Sequence, residues 1–492
     1  MCQNAGVVVV AKPFFTTQRS FVMNERSGTG ASRRDFLKKT GHVAVAAGLS
    51  AGLVPRVHAA EENTIRVALV GCGFRGTGAV ANALAVPRQP MKLVAAADVF
   101  ENRLSASLQS LTRAVEEKYD RNAHEGYARQ IDVPKERQFI GFDGYKKAMD
   151  CLRPGDVVIL ATPPAFRWLH FGYAIEKGLN VFMEKPLTTD GPTSRRMLEL
   201  GKKAAEKNLK VGVGLMSRHA RNLQQLHQRV RDGELGDIFL MRAYRMHGPG
   251  GSAFSQKWPG TPSELLWQIQ RFHSFIWASG GVFSDFYIHL IDHCCWLKGS
   301  LPVKAHGLGG RHYRNDYVDQ NFDSYAVEYT FADGAKLYFN GRCMPGALTH
   351  FSSYLNGTKG SAIASRANDC GGPSAIFQGQ LPDNAKQVWQ SSAPPSEANP
   401  YQNHWNELID AICNDKPFNE VEQGVMASVV SSMGRKAAHT ATEVTFDAML
   451  NSPVEHAPGL DQWTADSPPP VRADADGKYP VPQPGLVTDR EY

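Results

Sequence analysis

Short apolar runs alternate with longer amphipathic stretches through the first half of this chain. Ile65-Arg66-Val67-Ala68-Leu69-Val70, Lys92 to Ala97, Phe139-Ile140, Asp156 to Ala161, Asn180 to Met183 and Lys210 to Leu215 read as strands. Most of them are apolar on successive residues, the pattern of strands covered on both faces. Between them, Thr77–Ala85, the charged stretch from Asp98 to about Lys118, Tyr145–Cys151, Ala165–Lys177 and Thr193–Lys207 read as helices. Gly178 sits where a helix ends on a left-handed glycine. Residues 119–137 are polar and read as an insertion. Strands alternating with helices predict an α/β doubly wound parallel sheet over residues 60–216.

The texture changes after 217. Ile238–Arg245 is strand-like, and 247–279 is rich in Gly, Pro and aromatic residues. Gly281–Leu297 reads as a helix. Val303–Leu308, Ser324–Phe331 and Ala335–Asn340 read as strands, with Asp333-Gly334 as a hairpin turn. His404–Asn414 and Gln423–Thr440 read as helices, the former a candidate to pack back on the first domain. The prediction for 217–450 is therefore an α+β domain with a large, mostly antiparallel sheet. Residues 451–492 are rich in proline and lack periodicity, an extended arm or a disordered tail, with Trp463 and Tyr479 as candidate anchors.

Composition matters mainly at the N-terminus. The net charge of +6 resides in residues 1–59; residues 60–492 hold 46 basic and 46 acidic residues. The body offers no basic footprint for nucleic acid. Ser32-Arg33-Arg34-Asp35-Phe36-Leu37-Lys38 is a twin-arginine signature, followed by the weakly apolar Val43–Val54 and a cleavage-like Val57-His58-Ala59. Residues 1–59 thus read as a leader, with the export signal at about 32–59 and Met23 as an alternative start. The apolar stretch is too short for a stable membrane span once the leader is cleaved. The expected location is periplasmic, or otherwise exported. Seven cysteines follow the leader without a CxxC pair or a dense disulfide framework.

The first strand ends in Gly71-Cys72-Gly73-Phe74-Arg75-Gly76. Glycines at this spacing, between a strand and a helix, deliver a dinucleotide pyrophosphate to the helix N-terminus. Gly71 serves the turn, Gly73 the approach of the phosphates and Gly76 helix–strand packing. Asp98, ending the second strand, stands where an acid meets the ribose hydroxyls and repels a 2′-phosphate, so NAD is expected over NADP, with Arg103 able to soften the preference. Thr162-Pro163-Pro164 and Glu184-Lys185-Pro186 follow the fourth and fifth strands, at the carboxyl edge where such sheets bind ligands. A lysine there can hold a hydroxyl and stabilise charge as its proton leaves. Asp285 and His289 are spaced i, i+4, with Asp292 three residues on, so one helix face would present a carboxylate and a general base. A helix-face pair that only packs domains together is the alternative. With His293 these residues are also possible metal ligands, but no complete set of known spacing is present, and no metal is expected. Trp258, flanked by Pro259 and Gly260, is the ring of 247–279 placed to reach a pocket.

The order of these motifs, with Arg218 and Gly280-Gly281 between them, resembles the Gfo/Idh/MocA oxidoreductases over Ile65–Thr440. The resemblance implies a Rossmann domain whose cofactor site uses Gly71, Gly73, Phe74, Arg75, Gly76, Asp98, Thr162, Pro163, Glu184 and Lys185. It implies Lys185, Asp285 and His289 as the catalytic group, and Arg218, Trp258 and Asp292 at the substrate. The activity implied is hydride transfer between NAD(P) and a secondary alcohol or carbonyl of a sugar, polyol or glycoside. Family members often have a small residue where Phe286 or Tyr287 stands, which leaves the pocket size open. The export signal adds that the cofactor leaves the cytoplasm tightly bound. An NAD-dependent glycosidase of the same fold and a non-catalytic sugar-binding protein are the alternatives; Lys185 argues against the first. A homodimer or homotetramer is expected, because an open antiparallel sheet needs a covered face.

Overall fold

The computed structural model describes residues 63–87, 89–113, 126–312 and 316–492. The leader, and residues 114–125 at the end of the charged stretch and in the polar insertion, lie outside the described residues. Among the described residues the strands form two sheets.

The first sheet is built from β1 (Ile65–Val70), β2 (Met91–Asp98), β3 (Gln138–Ile140), β4 (Val157–Leu160), β5 (Asn180–Met183) and β6 (Val211–Val213). Their order is β3-β2-β1-β4-β5-β6, parallel throughout. The connecting helices are α1 (Phe74–Leu84), α2 (Glu101–Thr112), α3 (Gly144–Asp150), α4 (Arg167–Glu176) and α5 (Gly191–Glu206). β4 and β5 are buried at every residue, as apolar runs covered on both faces must be. The strand order reverses between β1 and β4, which opens a crevice at their carboxyl ends. α1 begins at Phe74, three residues earlier than the apolar pattern places it, because Gly73 already acts as its cap.

The second sheet follows α6 (Arg221–Arg231). It contains β7 (Ile238–His247), β8 (Lys304–Gly310), β9 (Ser324–Thr330), β10 (Lys336–Cys343), β11 (His350–Gly357), β12 (Gly360–Ser365), β13 (Ala375–Gln378), β14 (Gln387–Gln390) and β15 (Val444–Thr445). All neighbours pair antiparallel except β7 with β10. β9 alternates between buried and half-buried positions, the signature of a sheet with one packed face. Phe239, Leu308 and Tyr338 remain exposed. Asp333-Gly334 is the predicted hairpin turn, with Gly334 at φ +85°.

Between β7 and β8 lie α7 (Glu264–Gln270), α8 (Ile276–Ser279), α9 (Gly281–Phe286) and α10 (Ile288–Lys298). The single helix predicted over 281–297 is thus interrupted at Tyr287, whose fully buried ring packs against Gly341; a Cβ there would stand 2.3 Å from it. After β14, α11 (Pro400–Cys413) returns to the first sheet and stacks Trp405 on Phe182 at 4.7 Å. α12 (Val421–Thr440) packs against both α5 and β8, and joins the two layers.

The C-terminal segment is an ordered arm, not a disordered tail. Tyr479 is buried, its hydroxyl donates to Glu264 at 2.7 Å, and Trp463 meets Trp277 edge-on at 5.5 Å. Its end is the most tightly held part. The Glu491 carboxylate accepts two hydrogen bonds from Arg435 (2.9 and 2.8 Å) and contacts His439 Nδ1 at 2.9 Å. The Arg435 guanidinium, fully buried in α12, also donates to Ser284 Oγ at 2.8 Å, one residue before Asp285. Sparse anchors hold what periodicity could not reveal.

Candidate active site

A cavity of about 1470 Å³ opens at the carboxyl edge of the first sheet. It exceeds the roughly 300–1,000 Å³ of a site for one small ligand. Gly71, Gly73, Phe74, Arg75, Asp98, Thr162, Pro163, Glu184, Lys185, Asp285 and His289 all line it. The sequence-predicted cofactor and catalytic residues therefore meet in one place. Gly76 lies beneath the floor, as helix–strand packing requires.

The glycines separate into two kinds. A Cβ on Gly71 (φ +95°) would stand 2.6 Å from the Ala161 and Thr162 backbone, and one on Gly76 would stand 2.1 Å from Gly71 O. The protein itself demands glycine at both. Gly73 has φ −77°, and a Cβ there would meet no protein atom within 4 Å. What needs glycine at 73 is whatever lies against the turn in the cavity, so the cradle fits a dinucleotide pyrophosphate. Asp98 is preset: its carboxylate accepts the Cys72 and Phe100 N–H groups at 2.7 and 2.9 Å. Burial pushes its pKa up despite these bonds. Arg103 turns to Gln270 O at 3.0 Å, which ties α2 to the 247–279 segment.

Arg75 donates to Glu184 Oε1 (3.2 and 2.8 Å) and lies 4.3 Å over the Tyr401 ring. This fixes the loop after β5. Lys185 Nζ donates to the main-chain oxygen of Asp285 at 2.6 Å and lies 3.5 Å from Asp285 Oδ2. Burial would raise the Asp285 carboxyl, but the Lys185 ammonium and His273 outweigh it and hold the pKa at about 2. Burial, with the charges of Lys185, Arg245 and Arg75, drives His289 well below its usual value. His289 is therefore neutral at pH 7. Its Nδ1 is buried with no hydrogen-bond partner among the described residues.

Three expected substrate contacts are corrected by the structure. Arg218 and Asp292 do not line this cavity. They form a two-point ion pair with each other (2.9 and 2.8 Å) beside a separate hollow of about 330 Å³. Trp258 also stays out of the lining: its indole N–H donates to Pro262 O at 2.8 Å, while neighbouring Lys257 and Pro259 reach the cavity. Phe286 lines the pocket, whereas Tyr287 belongs to the core. His293 bonds Ser353 Oγ at 2.8 Å, so the set Asp285, His289, Asp292 and His293 does not converge on an ion.

Sequence reading missed His273, Arg245 and Asp369. Arg245 donates to Asp369 Oδ1 at 2.8 Å and to Phe286 O at 2.7 Å, and His273 Nε2 lies 3.3 Å from Asp285 Oδ2. The only signal for His273 was its place among the aromatics of 247–279. A second cluster, outside the cavity, gathers His219, His404 and Glu420. Its imidazoles stack in parallel at 3.7 Å with 8° between planes. A cation bound by both rings must lie in both ring planes, and parallel rings offer no such point. The cluster is a hydrogen-bonded one, with His219 Nδ1 on Glu407 at 2.7 Å and Nε2 on Glu420 at 3.1 Å.

Known proteins match this architecture. The model of an oxidoreductase family with an NAD-binding Rossmann fold matches residues 65–215, and that of the GFO/IDH/MocA C-terminal domain matches 223–363. An inositol 2-dehydrogenase of Corynebacterium glutamicum is 30% identical over 150 residues, covering 30% of this chain and 37% of that protein. A D-glucoside 3-dehydrogenase of Escherichia coli is 28% identical over 250 residues, covering 50% of this chain and 58% of that protein. The chain thus spans 37–58% of these two relatives' length. In fold, scyllo-inositol dehydrogenase of Lactobacillus casei, solved with NAD(H) and scyllo-inositol, superposes at TM-score 0.54 with 20% identity, over 78% of this chain and 99% of that one. The two domain models together take in most of the residues from β1 to β12, and the chain belongs to the GFO/IDH/MocA oxidoreductase family.

Proposed function

We propose that this protein is an NAD-dependent dehydrogenase acting on a ring hydroxyl of a sugar, polyol or glycoside. One observation carries the reading: Lys185, Asp285 and His289 converge on the cavity that begins at the glycine turn. Bound NAD+ supplies the hydride acceptor. Lys185 Nζ, oriented by Asp285, donates to the substrate hydroxyl oxygen and stabilises the charge that develops there. Neutral His289 takes the hydroxyl proton at Nε2. Asp285 stays ionised and offers the substrate an acceptor. The Arg245–Asp369 pair and the Phe286 ring supply polar and stacking surface for a sugar. Their relatives' names, inositol and glucoside dehydrogenases, support this substrate class.

The test uses natively purified protein and a panel of polyols, sugars and glycosides, without added NAD. Appearance of NADH absorbance on one of them supports the proposal. Release of an aglycone without net NADH would transfer the assignment to the glycosidase reading. We further propose export through the twin-arginine route with the cofactor already seated. Replacing Arg33 and Arg34 together by lysine should leave the protein in the cytoplasm, and continued export would refute it. The exposed Phe239, Leu308 and Tyr338 favour a homo-oligomer through the second sheet; a monomeric mass in light scattering would exclude it.

A further inference from the structure

His273 comes from a segment with no periodic pattern, yet its ring is held on every side. Its Nδ1 lies 3.2 Å from the Ser252 main-chain nitrogen and 3.0 Å from Ser252 Oγ. Gly251, at φ +52°, permits this approach; a Cβ there would stand 2.7 Å from the imidazole. One face of the ring stacks on Phe286 at 5.0 Å and 11°, and Phe272 packs at 3.8 Å. Asn321 Nδ2 fixes the His273 carbonyl at 2.8 Å.

The tautomer follows from these contacts. A main-chain N–H only donates, so Nδ1 must present its lone pair to Ser252. The ring proton therefore sits on Nε2, which lies 3.3 Å from Asp285 Oδ2. The Lys185 ammonium meets the same oxygen at 3.5 Å. Both partners thus load Oδ2, and Oδ1 is left to a ligand.

We infer that His273 is a positioning residue for the reaction: through its Nε2–H it holds the Asp285 carboxylate turned, so that Oδ1 faces the substrate and Oδ2 faces Lys185. This rests on the dehydrogenase reading above. The charged or titratable groups that act on Asp285 are Lys185 from the loop after β5, Arg167 from α4 and His273 from the 247–279 segment. Removing the His273 donor leaves the two cations, so Asp285 still ionises but at higher pH.

The experiment compares His273→Phe, which keeps the stack on Phe286 and removes the donor, with His273→Gln, whose amide N–H can replace Nε2–H. In His273→Phe kcat at neutral pH should fall about tenfold with KM for the cofactor unchanged, and His273→Gln should restore most of it. A purely structural role would lower Tm together with activity and would show no rescue by glutamine; that pattern overturns the inference. Inactivity of the wild type on the whole panel would instead be failure of the dehydrogenase reading. The tautomer is then read independently, by ring-nitrogen NMR of the ¹⁵N-histidine-labelled full chain, with His273→Gln to assign the signals. A pyridine-type Nδ1 and a pyrrole-type Nε2 at neutral pH support the inference, and the opposite tautomer overturns it.

Discussion

Alanine at Gly73 and alanine at Gly76 should fail in opposite ways, although the two glycines stand in one turn. At Gly76 the new Cβ would lie 2.1 Å from Gly71 O, and 3.1 Å from both Ala161 Cβ and Leu69 Cδ1, where ordinary contact begins near 3.4 Å. The overlap of more than 1 Å falls on backbone, which cannot rotate away as a side chain can. Overpacking of this kind costs about 1–3 kcal/mol. At about 2–4 °C per kcal/mol, Tm should fall by about 2–12 °C. At Gly73 the backbone is extended and the Cβ meets no protein atom within 4 Å, so stability of cofactor-free protein should stay within about 0.5 kcal/mol. The methyl would instead stand where the pyrophosphate approaches. NAD affinity should drop at least about tenfold, which is about 1.4 kcal/mol. The assay is thermal unfolding of protein stripped of cofactor, followed by NAD titration by calorimetry. A Gly73→Ala protein that binds NAD like the wild type, or that melts as early as Gly76→Ala, would refute this division of labour.

Other outcomes are expected. Lys185→Met should retain NAD and lose about 10²-fold or more in kcat, measured by steady-state kinetics beside cofactor titration. Glu491→Gln should destabilise the fold by about 3–5 kcal/mol, because it strands the buried Arg435 cation; chemical denaturation measures this. Burial disfavours charge on His219, but its bonds to Glu407 and Glu420 prevail and raise its pKa to about 9. Its contribution to stability is thus fully present below about 6.5 and is lost as pH rises towards about 9. The Tm difference between wild type and His219→Asn should shrink across that window. A chelator should leave Tm unchanged, because the stacked His219 and His404 cannot share an ion.

The parallel sheet was legible because each of its strands is an apolar run between helical stretches, and glycine spacing marked the turn directly. Lys185, Asp285 and His289 were legible as candidates from a strand end, an i, i+4 spacing and the family resemblance, and all three line the cavity although the helix breaks between the last two. Other features depend on partners distant in sequence. The break at Tyr287 lies in a segment buried on all sides, so no amphipathic stripe shows where one helix stops. Arg218 and Asp292 were sound as polar residues near a site, but spacing does not reveal that two such groups neutralise each other across 74 positions. His273 reaches Asp285 through an irregular segment that no period describes. The arm lacks a pattern because each of its anchors is solitary.

The grip of Glu491 on Arg435 has a consequence for proteolysis. The arm from residue 451 onward is the route by which Glu491 reaches α12, so one cut between the last anchor and that glutamate would release the counter-charge. The buried guanidinium beneath Ser284 would then stand unpaired, one residue from Asp285. Damage at an exposed stretch of the arm would thus be felt in the cavity lining.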